Sequence, residues 1–356
     1  MKKLIFPYEW TLKDAKFTKD KGTVFSCFAC GGGSTMGYKL AGFDVIGCNE
    51  IDPKMIEAYR VNHKPSFSFL EPIQTFKDRD DLPKELYNLD ILDGSPPCSS
   101  FSMSGNREQD WGKEKHFKEG QAEQVLDTLF FDFIDLAKKL QPKVVVAENV
   151  KGILMGNAIE YVRRIYRELD QAGYYCQHWL LNSETMGIPQ RRERVFFIAL
   201  RKDLAKPFLK QTDLFTVAPE FRLKFTQTPI TFAQIFKDYT DRPLSEGMKK
   251  VWDKRQLGDL SFEIINERER GKKFLHFNHK FLYPHTIPNT VTSGDACVLF
   301  DYPRYRNFDE LCDSGSYPKD YDFAGNKAHY LIGMSVPPVM VAQIASQIYL
   351  QWLKKI

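Results

Sequence analysis

The sequence has no run of the roughly twenty apolar residues that a bilayer-spanning helix needs, and no internal repeat or low-complexity tract. It therefore reads as a globular chain with no membrane partner. A G-x-G-x-x-G turn is also missing, which counts against a nicotinamide dinucleotide. Strong charge is absent, since the net +4 permits a polyanionic partner without requiring one. The seven cysteines are odd in number, and Cys27, Cys48, Cys176 and Cys297 lie within apolar stretches. That usage excludes a secreted disulfide framework and points to reduced thiols in the cytoplasm. Near the amino terminus, Pro7 and Glu9 follow Met1-Lys2-Lys3 too closely for a signal-peptide apolar core.

What is present is enough for one large core and a smaller second domain: 356 residues, 43% of them hydrophobic. Strand-like runs alternate with helical stretches. Thr23 to Phe28 leads through Gly31-Gly32-Gly33 into a helix reaching Ala41, with Gly42 as its stop. Phe43 to Asn49 is a second strand, and Pro53 to Asn62 a helix with proline in its first turn. The alternation continues through Leu89–Leu92 (strand), Gln124–Leu140 (helix), Val144–Ala147 (strand), Ala158–Ala172 (helix) and Val195–Ala199 (strand). This order predicts an α/β fold with a doubly wound, mainly parallel sheet. The pattern fades after residue 204, which suggests an inserted smaller domain. Val336 to Ile356 reads as a final helix packing back on the first domain.

Four constellations carry chemistry. Asp93-Gly94-Ser95-Pro96-Pro97-Cys98 places a cysteine behind a rigid Pro-Pro step after an apolar strand, where a nucleophile would stand. A buried small hydrophobe is the commoner fate of such a thiol. Glu148 ends the strand that begins at Val144, and reads either as a functional acid or as a strand-end carboxylate paired with a surface lysine. The turn Cys30-Gly31-Gly32-Gly33, with Glu50 ending the next strand, suits a ribose-containing ligand or close packing. In Gln190-Arg191-Arg192-Glu193-Arg194, period-two alternation puts Arg192 and Arg194 on one side, fit for an anion or a carbonyl oxygen, or for a solvated basic turn.

Together, and in this order, these motifs resemble the DNA cytosine-5 methyltransferases. The likeness covers roughly residues 22–204 and 284–350. It rests on Phe28-Ala29-Cys30-Gly31-Gly32-Gly33, Glu50-Ile51-Asp52, Pro97-Cys98, Thr128 to Asp132, Glu148-Asn149-Val150 and Gln190-x-Arg192-x-Arg194. The resemblance implies a Rossmann-like methyltransferase fold, with a leader (1–22), a catalytic domain (23–204), a target-recognition domain (205–283) and a return segment (284–356). It also implies S-adenosylmethionine as cofactor, no metal, and duplex DNA as substrate, with a flipped cytosine attacked at C6 by Cys98 and steadied at N3 by Glu148. Arg194 would meet the cytosine O2 and Arg192 would support the loop and its phosphate. Phe28, Ala29, Gly31, Gly32, Gly33, Glu50, Ile51, Pro97 and Leu129 would hold the cofactor. Ser102, Asn149, Gln190 and Arg304 would serve the substrate. Ser99 to Gln124 would close over DNA. A monomer, with a cognate restriction endonuclease acting separately, fits the family; a tRNA cytosine-5 methyltransferase and a silent DNA-binding paralogue are the rival readings.

Within the insert, Lys249, Lys250, Lys254, Arg255, Arg268, Arg270, Lys272 and Lys273, mixed with Trp252, suit phosphate contact. Cys30, Ser99 and Met334 depart from the family pattern. Glu71-Pro72-Ile73 lacks the Asp-Ile pair expected against the adenine.

Overall fold

The computed structural model describes residues 6–97, 128–156, 158–211, 217–271 and 279–356. Its centre is a seven-stranded sheet of order β3-β2-β1-β4-β5-β7-β6. The strands are β1 (Thr23–Cys27), β2 (Asp44–Glu50), β3 (Phe67–Leu70), β4 (Ile91–Gly94), β5 (Val144–Val150), β6 (Tyr174–Asn182) and β7 (Glu193–Arg201). Pairing is parallel from β3 to β5, while β7 runs antiparallel to both β5 and β6. The expected mainly parallel, doubly wound sheet is therefore present, with two further strands, β3 and β6, at its edges.

Helices cover both faces. α1 (Gly33–Leu40) follows β1, and α2 (Pro53–His63) follows β2. The Asp52 carboxylate caps α2 by accepting from the amides of Lys54 and Met55, and Pro53 occupies the first turn, where no amide is needed. α3 (Ile73–Asp78) and α4 (Leu129–Leu140) pack together, and α5 (Ala158–Gln171) leads into β6. Leu129, Phe130, Phe133, Leu136 and Leu140 of α4 join Leu92, Val145 and Phe197 in one core layer. The opposite layer holds Val24, Ile91, Val146 and Ile198.

A short antiparallel pair, β8 (Leu209–Gln211) with β9 (Val217–Pro219), starts the insert. Ala205, Phe208 and Phe221 lie in the layer beneath the sheet, with Phe221 against the buried Trp352 at 4.3 Å between ring centres. A separate small core follows, built from α6 (Glu246–Trp252), α7 (Phe262–Arg270) and the parallel pair β10 (Lys280–Leu282) and β11 (Cys297–Leu299). Packing thus runs across both expected boundaries, at residues 204 and 283.

The chain then returns through α8 (Phe308–Gly315), α9 (Ala328–Met334) and α10 (Pro338–Gln351). α10 lies on α1, where a side chain at Gly37 would meet Val341 and the Pro338 carbonyl. No run of twenty apolar residues occurs, but one window within Ala328–Lys355 reaches a mean hydropathy of 1.4. That window is 83% buried inside the protein, so its apolar residues are spent on the core of the fold.

Candidate active site

The strand ends of β1, β2 and β4 open onto a cavity of about 190 Å³. Glu50 organises its floor. One carboxylate oxygen accepts from the Cys30 amide at 2.7 Å, the other from the amides of Ile51 and Asp52 at 2.8 and 2.9 Å. Burial raises the Glu50 carboxyl above its ordinary value, and the three amides work against that rise. The turn it holds is strained, because Phe28 and Cys30 have φ of 51° and 48°, in the left-handed region. Both of these residues line the cavity, with Ile51 beside them. Burial pushes the Cys30 thiol up to about 12, so at neutral pH it faces the cavity as a neutral, polarisable wall.

The three glycines expected to hold a cofactor are placed by close packing beside the cavity turn. None lines the cavity, and each is pressed against protein. Gly32 has φ +87°, and a β-carbon there would sit 2.2 Å from the His63 ring; at Gly33 it would lie 2.5 Å from the Val336 carbonyl oxygen. These glycines let α2 and the end of α9 close on the turn. Gly32→Ala is accordingly expected to destabilise the protein by about 1–3 kcal/mol through backbone strain and the clash, read as a lowered denaturation midpoint. An unchanged midpoint would refute the packing role. Ala29 belongs with Cys48, Ile56 and Tyr59 in a buried cluster, and Leu129 is fully buried in the α4 layer; neither reaches the cavity.

Several lining residues had no cofactor role assigned to them from sequence. Glu71 and Ile73 stand where an expected pair was missing, and Glu71 is held by Arg79 at 3.1 Å. Asn49, Asp52 and Met55 extend the wall from β2 into α2. Tyr330 and Met334, one turn apart on α9, close the opposite side. Met334 is exposed, and its departure from the family pattern therefore bears on the cavity mouth.

Ser95 and Pro97 form the wall that leads toward Cys98. Cys98, Ser102 and the loop from Ser99 to Gln124 lie outside the described residues. Beside this wall, the Asn149 amide donates to the Pro96 carbonyl at 3.3 Å, tying the end of β5 to the Pro-Pro step. Glu148 is buried, and its partner is an arginine rather than a surface lysine: Arg194 Nε meets it at 2.8 Å. The register of β5 and β7 puts Glu148 opposite Phe196 and Arg194 opposite Val150, so the two side chains meet diagonally on one face.

Arg192 and Gln190 do not join them as substrate groups. The Arg192 guanidinium is buried and donates to the carbonyls of Val291, Gly333 and Ser335 at 2.8–3.0 Å. Burial first, and Arg194 second, pull it down to about 9. Gln190 donates to the Ser314 carbonyl and accepts from the Val291 amide. Both are brackets joining β7 to the return segment, and Arg192 grips the peptides on either side of Met334. Arg304, also expected at the substrate, is buried in a two-pronged ion pair with Glu310 at 2.7 and 2.8 Å.

Among the basic residues of the insert, Arg255 stacks on Trp252 and donates to the Phe300 carbonyl, and Arg268 clasps Asp259. Lys249 and Lys250 are exposed on α6, while Lys272 and Lys273 lie outside the described residues.

Comparison with known proteins places this fold among relatives. The chain is 36% identical to the Type II methyltransferase M.FnuDI of Fusobacterium nucleatum over 182 residues, 51% of this chain and 47% of that one. It thus spans about half the length of that relative. A second relative, the Type II methyltransferase M1.HphI of Haemophilus parahaemolyticus, is 26% identical over 92% of this chain and 86% of its own length. Among solved structures, a DNMT2 mutant from Spodoptera frugiperda shares the fold with a TM-score of 0.61 at 18% identity, covering 90% of this chain and 98% of that one. Residues 22–350 match the C-5 cytosine-specific DNA methylases, and the chain belongs to that family.

Proposed function

We propose that this protein transfers a methyl group from S-adenosylmethionine to C5 of a cytosine flipped out of duplex DNA. The observation that carries the reading is the Glu148–Arg194 pair, set beside the Pro96-Pro97 step that leads to Cys98 and next to a cavity walled by Ser95 and Pro97. The cavity suits the cofactor: Phe28 offers a ring face, Glu50, Asp52 and Glu71 favour a cationic ligand, and Cys30, Met55 and Met334 give a soft apolar side. When bound there, S-adenosylmethionine supplies the methyl group that C5 receives.

The remaining chemistry belongs to the protein. Cys98, as thiolate, forms a bond to C6 and pushes the electrons of the 5,6 double bond toward C5. Glu148 holds the N3 edge and gives it a proton or hydrogen bond, so charge does not build up in the ring. Arg194 orients Glu148 and stands near the position where the base carbonyl O2 would lie. After methylation C5 loses its proton to a base, the double bond re-forms, and the Cys98 sulfur leaves as thiolate. A free thiol is only a few per cent thiolate at neutral pH, so polarisation of the ring by Glu148 substitutes for a permanently acidic cysteine.

The test is transfer of label from S-adenosylmethionine to duplex DNA, with total tRNA alongside, and capture of a covalent adduct on DNA carrying 5-fluorocytosine. Label on C5 of DNA cytosine and an adduct are expected, and both should be lost in Cys98→Ala. Transfer undiminished in that variant would refute the mechanism; label on tRNA alone would move the substrate to RNA. Pairing with a separate cognate restriction endonuclease, the role that the names of the type II relatives suggest, would appear as protection of the methylated DNA from that nuclease.

A further inference from the structure

One apolar feature of the insert is not used by this chemistry. Between α6 and α7 the chain turns through Asp253 to Ser261, and Leu257 and Leu260 on that turn are 90% and 68% exposed. They are the two most exposed large hydrophobic side chains among the described residues. A loose loop could show a leucine to water without consequence, but this turn is fastened. Asp259, buried between the two leucines in sequence, accepts from the Gln256 amide at 2.7 Å and from both terminal nitrogens of Arg268 at 2.8 and 3.0 Å. The Tyr283 hydroxyl accepts from the Gly258 amide and donates to the Asp259 carbonyl, and the Phe281 amide donates to the Leu260 carbonyl. Gly258 has φ +95°, a conformation that calls for glycine.

Charge says what such a turn can meet. Its own ions are taken up by neighbours: Arg255 stacks on Trp252 at 3.2 Å and donates to the Phe300 carbonyl, while Arg268 neutralises Asp259. From Glu246 to Arg270, six acidic residues stand against six basic ones, so the two helices and the turn between them carry no net charge. The insert as a whole is different. Residues 205–283 hold fifteen Lys and Arg against ten Asp and Glu, a net +5, whereas the entire chain carries +4. All of the excess positive charge therefore lies in the insert, outside α6, α7 and their turn. A polyanion drawn to the insert meets a neutral, apolar projection within it. Two copies of the insert repel each other instead.

We propose that the turn bearing Leu257 and Leu260 is an apolar wedge with which the insert touches the bases or sugars of duplex DNA, while basic residues elsewhere in the insert hold the phosphates. The proposal rests on the duplex-DNA reading above. A DNA groove offers leucine a matching surface in thymine methyl groups, sugar edges and opened base steps. Because the turn is already fixed by Asp259, Arg268 and Tyr283, little ordering is left to be done on binding.

The experiment compares the wild type with Leu257→Ser, Leu260→Ser and Leu257→Met on an unmethylated plasmid as methyl acceptor and on fluorescent fragments of that plasmid for binding, each across a salt series. Each serine variant should raise the KM and Kd for DNA about tenfold or more, the scale of one leucine side chain taken out of water. The rate at saturating DNA and the KM for S-adenosylmethionine should stay as in the wild type. The slope of log Kd against log salt should also stay, because no phosphate contact is removed. Leu257→Met keeps an apolar side chain and should bind nearly as the wild type does. Melting midpoints should match throughout, since both leucines are exposed, and this separates the wedge from a structural role. Unchanged DNA affinity in both serine variants would overturn the proposal, and so would a loss confined to self-association in sedimentation. Wild-type protein that binds the fragments but labels no DNA would overturn the methyl-transfer reading alone, with the serine variants still deciding the wedge by Kd. Protein that neither labels nor binds DNA would overturn both.

Discussion

Glu148→Gln is expected to slow methyl transfer by roughly 10²–10⁴-fold, the range that a positioned acid or base contributes. Glutamine keeps the shape of the side chain and can still accept from Arg194 Nε, which lies 2.8 Å from the carboxylate in the native protein. It cannot give up a proton as a carboxylic acid can. The loss should therefore fall on the rate at saturating DNA, with the folded state and the covering of the cavity by Tyr330 and Met334 intact. Rapid-quench single turnovers measure it directly, and a melting curve verifies the fold. Arg194→Lys makes the complementary case: the ammonium keeps the charge but loses the fixed fork that sets the carboxylate direction, so a smaller loss of the same kind is expected. A Glu148→Gln rate within tenfold of the wild type would remove Glu148 from the acid role.

The strands that carry the site were legible because they are short apolar runs bounded by turn residues: β1, β2, β4, β5 and β7 all stand where the sequence places them. β3 and β6 were not legible. Phe67–Leu70 is only four residues long, and Tyr174–Asn182 interrupts its apolar pattern with Gln177 and His178; both are edge strands that bury one side incompletely. The candidate site divides in the same way. Glu148 and Glu50 could be found because each is an acid at the end of an apolar strand. Spacing put Arg192 beside Arg194 but could not show that carbonyls from Val291, Gly333 and Ser335, over ninety residues away in sequence, arrive to take up its guanidinium. Tyr330 and Met334 reach the cavity by the same long-range packing, through Leu331 against Gly31.

The same reasoning turns Arg304 from a substrate residue into a structural one, with a large effect attached. Its guanidinium grips both oxygens of Glu310, and the two side chains are 3% and 0% exposed. Glu310 also receives the amides of Lys237 and Asn307, while Arg304 donates to the carbonyls of Lys237 and Tyr305. The network fastens the insert at Lys237 to the start of α8, where Asn307 and Glu310 form a capping box. Arg304→Ala leaves Glu310 buried without its countercharge, and losing one partner of a buried pair costs about 3–5 kcal/mol. A matching fall in the denaturant midpoint is expected, with binding of duplex DNA by the remaining folded protein little changed. Replacing both partners with apolar residues of similar volume, Arg304→Met with Glu310→Leu, should recover part of the stability because no unpaired charge remains, although the backbone amides that Glu310 served keep the recovery incomplete. A contact with the DNA backbone would behave differently: Arg304→Ala would then weaken binding and flatten its salt dependence while leaving the midpoint in place. Measuring the midpoint and the salt slope on the same preparation separates the two roles.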